Sequence, residues 1–372
     1  MTFIHELPNW PDFTWDLGAL AAPLAAVRHA QGLHLGRMRS LGFEYRAEAG
    51  LEMLTTDVVK SWAIEGETID ADEVRSSIAS RLGLDAGGIP RGDREVDGVV
   101  EMMLDATRNF LAPLTEERLF RWHAALFPTG RSGLSRITVG AWRPKDVGPM
   151  QVLSGPSGHE QLHFEAPAAE RLGPEMATFL DGFNTESQLD PVLRAGIAHF
   201  WFVTIHPFED GNGRIARAIG DMALARADGT EERFYSLSAQ IEAERKQYYL
   251  ELEGAQRGDL DITAWLRWFL GCLDRAVSAA DRSLGHVLRK ARVWERVNRH
   301  PVNERQRKVL NRLLDGFRGH LTSSKYARLA RCSPDTALRD IRDLLEYGVL
   351  VQNPGGGRST SYRLAEPDPM QA

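Results

Sequence analysis

Cysteine is nearly absent: Cys272 and Cys332 are the only two in 372 residues. Two thiols cannot build a disulfide framework or a cysteine zinc cluster. No apolar run reaches the roughly 18 residues of an obvious membrane span. The opening, Met1-Thr2-Phe3-Ile4-His5-Glu6-Leu7-Pro8, lacks a basic start followed by an apolar stretch, so it does not read as a signal peptide. There is no internal repeat and no extended low-complexity tract. These absences lead to the expectation of a cytoplasmic protein with no membrane partner, in a compartment where ATP is available. Hydrophobic residues make up 43% and charged residues 26%, ordinary values for a globular chain. The length admits two or three domains with a sizeable core.

The formal charge of −6 hides a division. Residues 286–372 carry 17 Lys+Arg against 9 Asp+Glu, a net of +8, while the remainder carries 28 against 42, a net of −14. The C-terminal segment is therefore chemically distinct. A Gly- and charge-rich stretch at 85–93 marks a second boundary. Three domains are expected, at 1–95, 96–285 and 286–372.

The densest chemistry lies in one uninterrupted run, His206-Pro207-Phe208-Glu209-Asp210-Gly211-Asn212-Gly213-Arg214-Ile215-Ala216-Arg217. The largely apolar segment before it, 190–205, reads as a buried helix with Pro191 in its first turn. His206 falls where that helix stops, because Pro207 disfavours helical geometry in the residue preceding it. Phe208 reads as an anchor beneath the loop. Gly211 and Gly213 permit positive φ and close approach, so the amides around Asn212 can form an anion nest. A second helix beginning near Gly213 would turn its N–H groups toward a phosphate. Arg214 and Arg217, three apart, share a face of that helix and present guanidinium forks suited to phosphate oxygens. His206 can take a proton near neutral pH. Asp210 can hold Mg²⁺, which takes only one or two protein carboxylates. Taken singly, His206 would be an ordinary helix-end histidine and Gly-Asn-Gly an ordinary tight turn; their conjunction points to a site.

This run resembles the Fic family signature HPFx(D/E)GNGRxxR at every defined position. The resemblance implies a mainly α-helical Fic core carrying a small β-hairpin flap, an N-terminal helical domain, and transfer of AMP from ATP to a protein hydroxyl. The segments Met150-Gln151-Val152-Leu153-Ser154-Gly155 and Gln161-Leu162-His163-Phe164-Glu165 read as strands around Gly155-Pro156-Ser157-Gly158. A plain surface hairpin would look the same; its place before the signature is similar to the family's flap, which lies over the nucleotide and pairs with an extended target segment. The resemblance thus assigns Val152, Leu153, Ser154 and Gly155 to the ATP site. It also assigns Tyr248 and Tyr249 to the base pocket and Gln256, where Asn is commoner, to adenine recognition. Both tyrosines equally suit a helix core. Trp10, Phe13 and Trp15 are expected to pin the N-terminus to the helical body.

Upstream, Ser61-Trp62-Ala63-Ile64-Glu65-Gly66 resembles the inhibitory pattern (S/T)xxxE(G/N) of Fic proteins. Ser61, Glu65 and Gly66 are thereby implicated in self-inhibition. Glu65 would pair with Arg217 and occupy the guanidinium that should hold the γ-phosphate. An exposed helix-end glutamate is the alternative.

In the basic segment, helices are expected from about 303, over 322–330 and over 333–344, with Ser333 capping the last and Pro334 opening it. Strands around Gly355-Gly356-Gly357 complete a pattern similar to a winged helix-turn-helix. DNA and protein docking stay open as its partner, since Asp335, Asp340 and Asp343 oppose DNA. The leading reading is a self-inhibited protein adenylyltransferase using ATP and Mg²⁺ on a target's Ser, Thr or Tyr hydroxyl; self-modification and a homodimer remain open. The alternatives are removal of AMP by the same site and a nucleotide-sensing DNA-binding regulator. Transfer of phosphate or phosphocholine is disfavoured by the glycine at position 213.

Overall fold

The computed structural model describes residues 2–84, 94–154, 161–314, 317, 319–354 and 360–365. The boundary stretch 85–93, the hairpin tip from Gly155 to Gly158 and the glycines 355–357 fall outside the described residues. The chain divides into two compact units, residues 1–40 with 47–282 and residues 41–46 with 283–372.

The first unit is built from α1 (Leu17–Arg39), most of α2 (Phe43–Ile64), α3 (Ala71–Leu82), α4 (Arg94–Arg108), α5 (Glu116–Leu126), α6 (Leu172–Asn184), α7 (Pro191–Ile205), α8 (Asn212–Asp228), α9 (Leu237–Ala243), α10 (Arg245–Gln256) and all but the last residue of α11 (Thr263–Ser283). Two small antiparallel pairs interrupt them, β1 (Arg131–Ser132) with β2 (Ser135–Arg136), and β3 (Gln151–Ser154) with β4 (Gln161–Glu165). This mainly helical architecture with minor hairpins is the class expected.

Local chemistry explains the helix ends. Asp16 accepts from the backbone N–H groups of Gly18 and Ala19 at the start of α1, and Asp190 accepts from that of Val192 at the start of α7, with Pro191 at its first position. The stretch from 31 to 64 is not one run: α1 stops at Ser40, whose hydroxyl donates to the Arg37 carbonyl at 2.7 Å, and α2 restarts after Gly42.

The antiparallel partners α7 and α8 form the centre. Almost all of α7 is buried, including Phe200, Phe202 and Ile205. The N-terminus is fastened to it: the Phe13 ring meets Phe200 at 5.7 Å and Trp201 at 5.8 Å, and the Trp10 indole N–H donates to Glu175. Further upstream, Phe3 packs edge-on against Phe164 of β4 at 5.3 Å, and His5 bonds the Glu165 carbonyl at 2.7 Å. The N-terminal residues therefore support the hairpin's base. A bulge between Val152 and Leu153 shifts the β3–β4 register and re-aims the outer part of β3.

The second unit contains α12 (Gly285–Val297), α13 (Glu304–Leu314), α14 (Ser323–Ala330), α15 (Pro334–Glu346) and the antiparallel strands β5 (Leu350–Gln352) and β6 (Tyr362–Leu364). Its core is formed by residues such as Trp294, Leu310, Tyr326, Ile341 and Leu350. Among the described residues no helix is long and apolar enough to cross a membrane.

Helices α4 and α5 meet backbone to backbone at Gly98, where an added Cβ would lie 1.8 Å from the Ala125 carbonyl oxygen. Gly98→Ala is expected to destabilise the protein by about 2 kcal/mol through overpacking, although helix propensity alone predicts a gain of about 1 kcal/mol. Denaturant titration reads the sign directly.

Candidate active site

The site grows from the way α7 ends. His206 caps it in the left-handed region, φ 51° and ψ 57°, while its backbone N–H still reaches the Phe202 carbonyl at 3.1 Å. A side chain at positive φ is strained, and several contacts hold it there. Arg143 donates from Nε to the His206 carbonyl at 2.9 Å, from its backbone N–H to the Pro207 carbonyl at 2.9 Å, and from Nη2 to the Pro167 carbonyl. Beneath the loop, fully buried Phe208 stacks on the His123 ring at 4.1 Å. His123 bonds the Asp210 carbonyl through Nε2 and accepts from the Gly140 N–H through Nδ1. The Asn212 side chain grips Phe208 both ways, accepting from its N–H at 2.9 Å and donating to its carbonyl at 2.8 Å.

These contacts set the state of His206. Its Nδ1 faces the Val203 carbonyl at 3.2 Å, and a carbonyl only accepts, so the ring proton sits on Nδ1 and Nε2 is the free basic nitrogen. Burial pushes its pKa down to about 4; the Val203 contact works against that shift and the Arg143 charge adds to it. The imidazole is neutral at pH 7. His123 is likewise pushed down to about 4 by burial.

The two glycines differ from one another. Gly211 has φ 81°, and a Cβ there would come within 2.9 Å of the Phe127 ring. Gly213 does not adopt the positive φ expected of it: it lies inside the first turn of α8. Its requirement is space, since a Cβ would sit 2.3 Å from Glu65 Oε1 and 3.2 Å from Arg217 Nη1.

Both arginines are buried and held by α2 or the residues just after it. Arg217 donates from Nε to the Ser61 hydroxyl at 2.8 Å, and from Nη2 to the Ser61 carbonyl at 2.8 Å and to Glu65 Oε1 at 2.7 Å. Ser61 lies in the last turn of α2 and Glu65 in the turn that follows it directly. Burial opposes the Arg217 charge most strongly, but the Glu65 carboxylate together with Tyr248 and Tyr249 raises its pKa overall. The chain then turns at Gly66, φ 85°, which brings Glu67 to Arg214 Nη1 at 3.3 Å. Arg214 also lies 4.6 Å from the Trp62 ring, 5.0 Å from the Phe127 ring and 3.3 Å from Asp210. Among the described residues, Arg217 Nη1 and Arg214 Nε have no hydrogen-bond partner.

Asp210 accepts from the Ser132 hydroxyl and from the Gly211 N–H at 2.5 Å. Its side chain is 37% exposed and offers hard oxygen, the donor magnesium requires. Among the described residues no group of three or more His, Cys, Asp or Glu converges on a metal position.

A cavity of about 740 Å³ brings together His206, Gly213, Glu65, Val152, Leu153, Tyr248, Tyr249 and Gln256. Tyr248 is buried and bonds His199 Nε2 at 2.9 Å, so it is both a core aromatic and a cavity wall. Tyr249 is half-exposed and donates to the Ile64 carbonyl of α2 at 3.4 Å. Gln256 is buried and donates to the Thr204 hydroxyl at 3.3 Å. Ser154 ends β3 opposite Gln161, and Gly155 lies outside the described residues. Asp210 lines a separate cavity of about 310 Å³ with Ser132 and Arg143. Neither cavity is lined by Arg214 or Arg217.

Sequence reasoning missed Arg143, His123, Ser132 and Glu67. Only Glu67 carried a signal, as a second acid two residues beyond Glu65.

Residues 113–224 match the Fic/DOC family and residues 3–84 match a domain of unknown function, DUF4172. The chain is 30% identical over 232 residues to protein adenylyltransferase fic-1 of Caenorhabditis briggsae, covering 61% of this chain and 42% of that protein. It is 30% identical over 200 residues to the Caenorhabditis elegans protein of the same name, covering 53% and 36%. The chain thus spans about two fifths of the length of these curated relatives. A Fic family protein from Desulfovibrio desulfuricans shares the fold with TM-score 0.58 and 22% identity, over 96% of this chain and 99% of that one. A Fic domain containing signaling protein from Bacteroides thetaiotaomicron gives TM-score 0.51 and 20% identity, over 72% and 97%.

Titrating ¹⁵N-labelled histidine by NMR should find His206 neutral at pH 7, protonated on Nδ1, and unprotonated at Nε2 until the pH approaches about 4. A midpoint near 6.5 would contradict the site. The folded pKa lies below the unfolded value, so this group's contribution is complete above pH 6.5 and is lost as pH falls toward 4.

Proposed function

With a Fic/DOC domain at its centre, the chain is, we propose, a self-inhibited protein adenylyltransferase working in the cytoplasm, where ATP is supplied. The observation that carries this reading is the juxtaposition of a neutral His206, its Nε2 free, with Arg217 shut behind Glu65. Such a base can act once the arginine is released to phosphate.

The reaction balances on the chain's own groups. A target hydroxyl gives its proton to His206 Nε2 while its oxygen bonds the α-phosphorus of ATP. The bond from that phosphorus to the bridging oxygen breaks, and pyrophosphate leaves with the electron pair. The N–H groups opening α8, with Arg214 and Arg217, bind phosphate oxygens, so catalysis consists mainly of positioning and electrostatics. Magnesium at Asp210 would neutralise phosphate charge. Tyr248, Tyr249 and Gln256 would border the base, and Val152 and Leu153, 38% and 49% exposed, would face nucleotide and target from the hairpin.

Inhibition follows from exclusion. Glu65 occupies the space beside Gly213 and the fork of Arg217, so a phosphate and this carboxylate cannot both be there. Glu67 holds Arg214 in parallel. A second reading, removal of AMP from a modified protein, is favoured by the same carboxylate: Glu65 lines the cavity with His206 and could orient water. Incubating an adenylylated protein with the unaltered chain separates the two reactions.

Glu65→Gly is expected to raise incorporation of α-phosphate-labelled ATP into protein by about tenfold or more, a barrier change of about 1.4 kcal/mol. Adding His206→Ala should abolish it while melting temperature holds. No transfer by a folded Glu65→Gly variant would sink the proposal. Adding Glu67→Gln to Glu65→Gly is expected to lower the KM for ATP a further few-fold, read in the same assay.

A further inference from the structure

We propose that the second unit binds duplex DNA through the outward face of α15 and the turn that leads into it. Such binding is independent of AMP transfer. The acidic residues that oppose DNA in the sequence are largely turned inward.

Asp340 is not on the outer surface. It is 2% exposed and accepts from Arg305 Nε and Nη2 at 2.9 and 3.0 Å, from Asn303 at 3.1 Å and from the Tyr326 hydroxyl at 3.3 Å. These bonds hold its carboxyl below the usual range despite burial, so it stays charged and neutralised inside the fold. Asp343 is half-buried and accepts from Gln306 of α13 at 3.4 Å. Both acids are therefore spent on packing α15 against its neighbours.

What remains outside is basic. Arg339 and Arg342, three apart, are exposed on one face of α15, and Arg328 and Arg331 are exposed at the end of α14. Among the described residues these four side chains make no ion pair or hydrogen bond. The acids exposed on α15 are Asp335 and Glu346, one near each end. Arg331 takes the left-handed conformation, φ 52°, that closes α14, and Ser333 then caps α15 by accepting from the Thr336 N–H at 3.2 Å. Two helices joined by so short a turn present the second as a rod with its start free, the geometry that enters a major groove.

Charge decides between partners. Unpaired guanidinium groups on a segment with 17 basic and 9 acidic residues match a phosphate backbone, where each contact releases counterions. Arginine also reads guanine edges bidentately. A protein partner would have to supply a matching set of carboxylates.

The test titrates the full chain into a fluorescein-labelled, random-sequence duplex of about two helical turns and follows anisotropy at several salt concentrations. Dissociation constants of about 10⁻⁶ to 10⁻⁴ M are expected, with affinity falling linearly on a log–log plot against salt. Arg339→Glu with Arg342→Glu should weaken binding by about tenfold or more and flatten the slope by about two counterions. Melting temperature should not change, since both side chains are exposed. The same pair introduced beside Glu65→Gly should leave AMP transfer intact, which keeps this test separate from that of the catalytic reading. The proposal is overturned by absence of binding at low salt or by undiminished affinity in the double variant. It is equally overturned if the double variant disrupts self-association, seen by sedimentation, while DNA fails to bind.

Discussion

The ion pair between Arg217 and Glu65 is the contact around which the rest of the site is arranged. It fastens the end of α2 to α8, places Glu65 in the cavity wall and requires that residue 213 have no side chain. A guanidinium buried this deeply must have an anion, because an unpaired charge in the interior costs several kcal/mol. Glu65 supplies it in this structure, with two further bonds to Ser61. A phosphate could replace the carboxylate without leaving Arg217 stranded, and that substitution is what makes a switch physically reasonable. A second buried attachment, Asp57 accepting from the Ser236 hydroxyl at 2.5 Å and the Ser238 N–H at 3.2 Å, holds α2 further along its length. Displacing Glu65 therefore need not release the whole helix.

The two halves of the site are prepared to different degrees. His206 is neutral, oriented by Val203 and splinted in a strained conformation by Arg143. The arginine side is closed, with each arginine covered by its own glutamate. Such an arrangement keeps the costly feature, the positive φ at His206, permanently in place. For a self-inhibited adenylyltransferase, control would rest on displacing carboxylates, which involves fewer rearrangements than rebuilding a loop.

Legibility tracks sequence distance. The loop from His206 to Arg217 could be interpreted because its residues act on their neighbours: Pro207 stops α7, Gly211 supplies a left-handed turn and Asn212 starts α8. Caps such as Asp190 and Ser333 are visible for the same reason. Arg143, His123 and Ser132 were not, since each is a single residue far from the loop in sequence that reaches it only on folding. Gly213 was read as permitting both positive φ and close approach; only the second applies, and the atom that fills the space belongs to Glu65. The acids of α15 were misjudged similarly: periodicity predicts which positions face inward only for apolar residues, and Asp340 turns inward because Arg305 and Asn303 meet it there.

By itself the sequence determined the family-like signature, the helix before it and the one after it, the paired strands upstream and the division of charge between the segments. These depend on neighbours within a few residues, where backbone geometry and capping act. The tertiary structure alone decided that Arg214 as well as Arg217 is covered, that His206 is neutral with its proton on Nδ1, and that two acids of α15 are internal. Each is a matter of burial and of which distant group arrives as partner, and a buried charge takes its state from that partner.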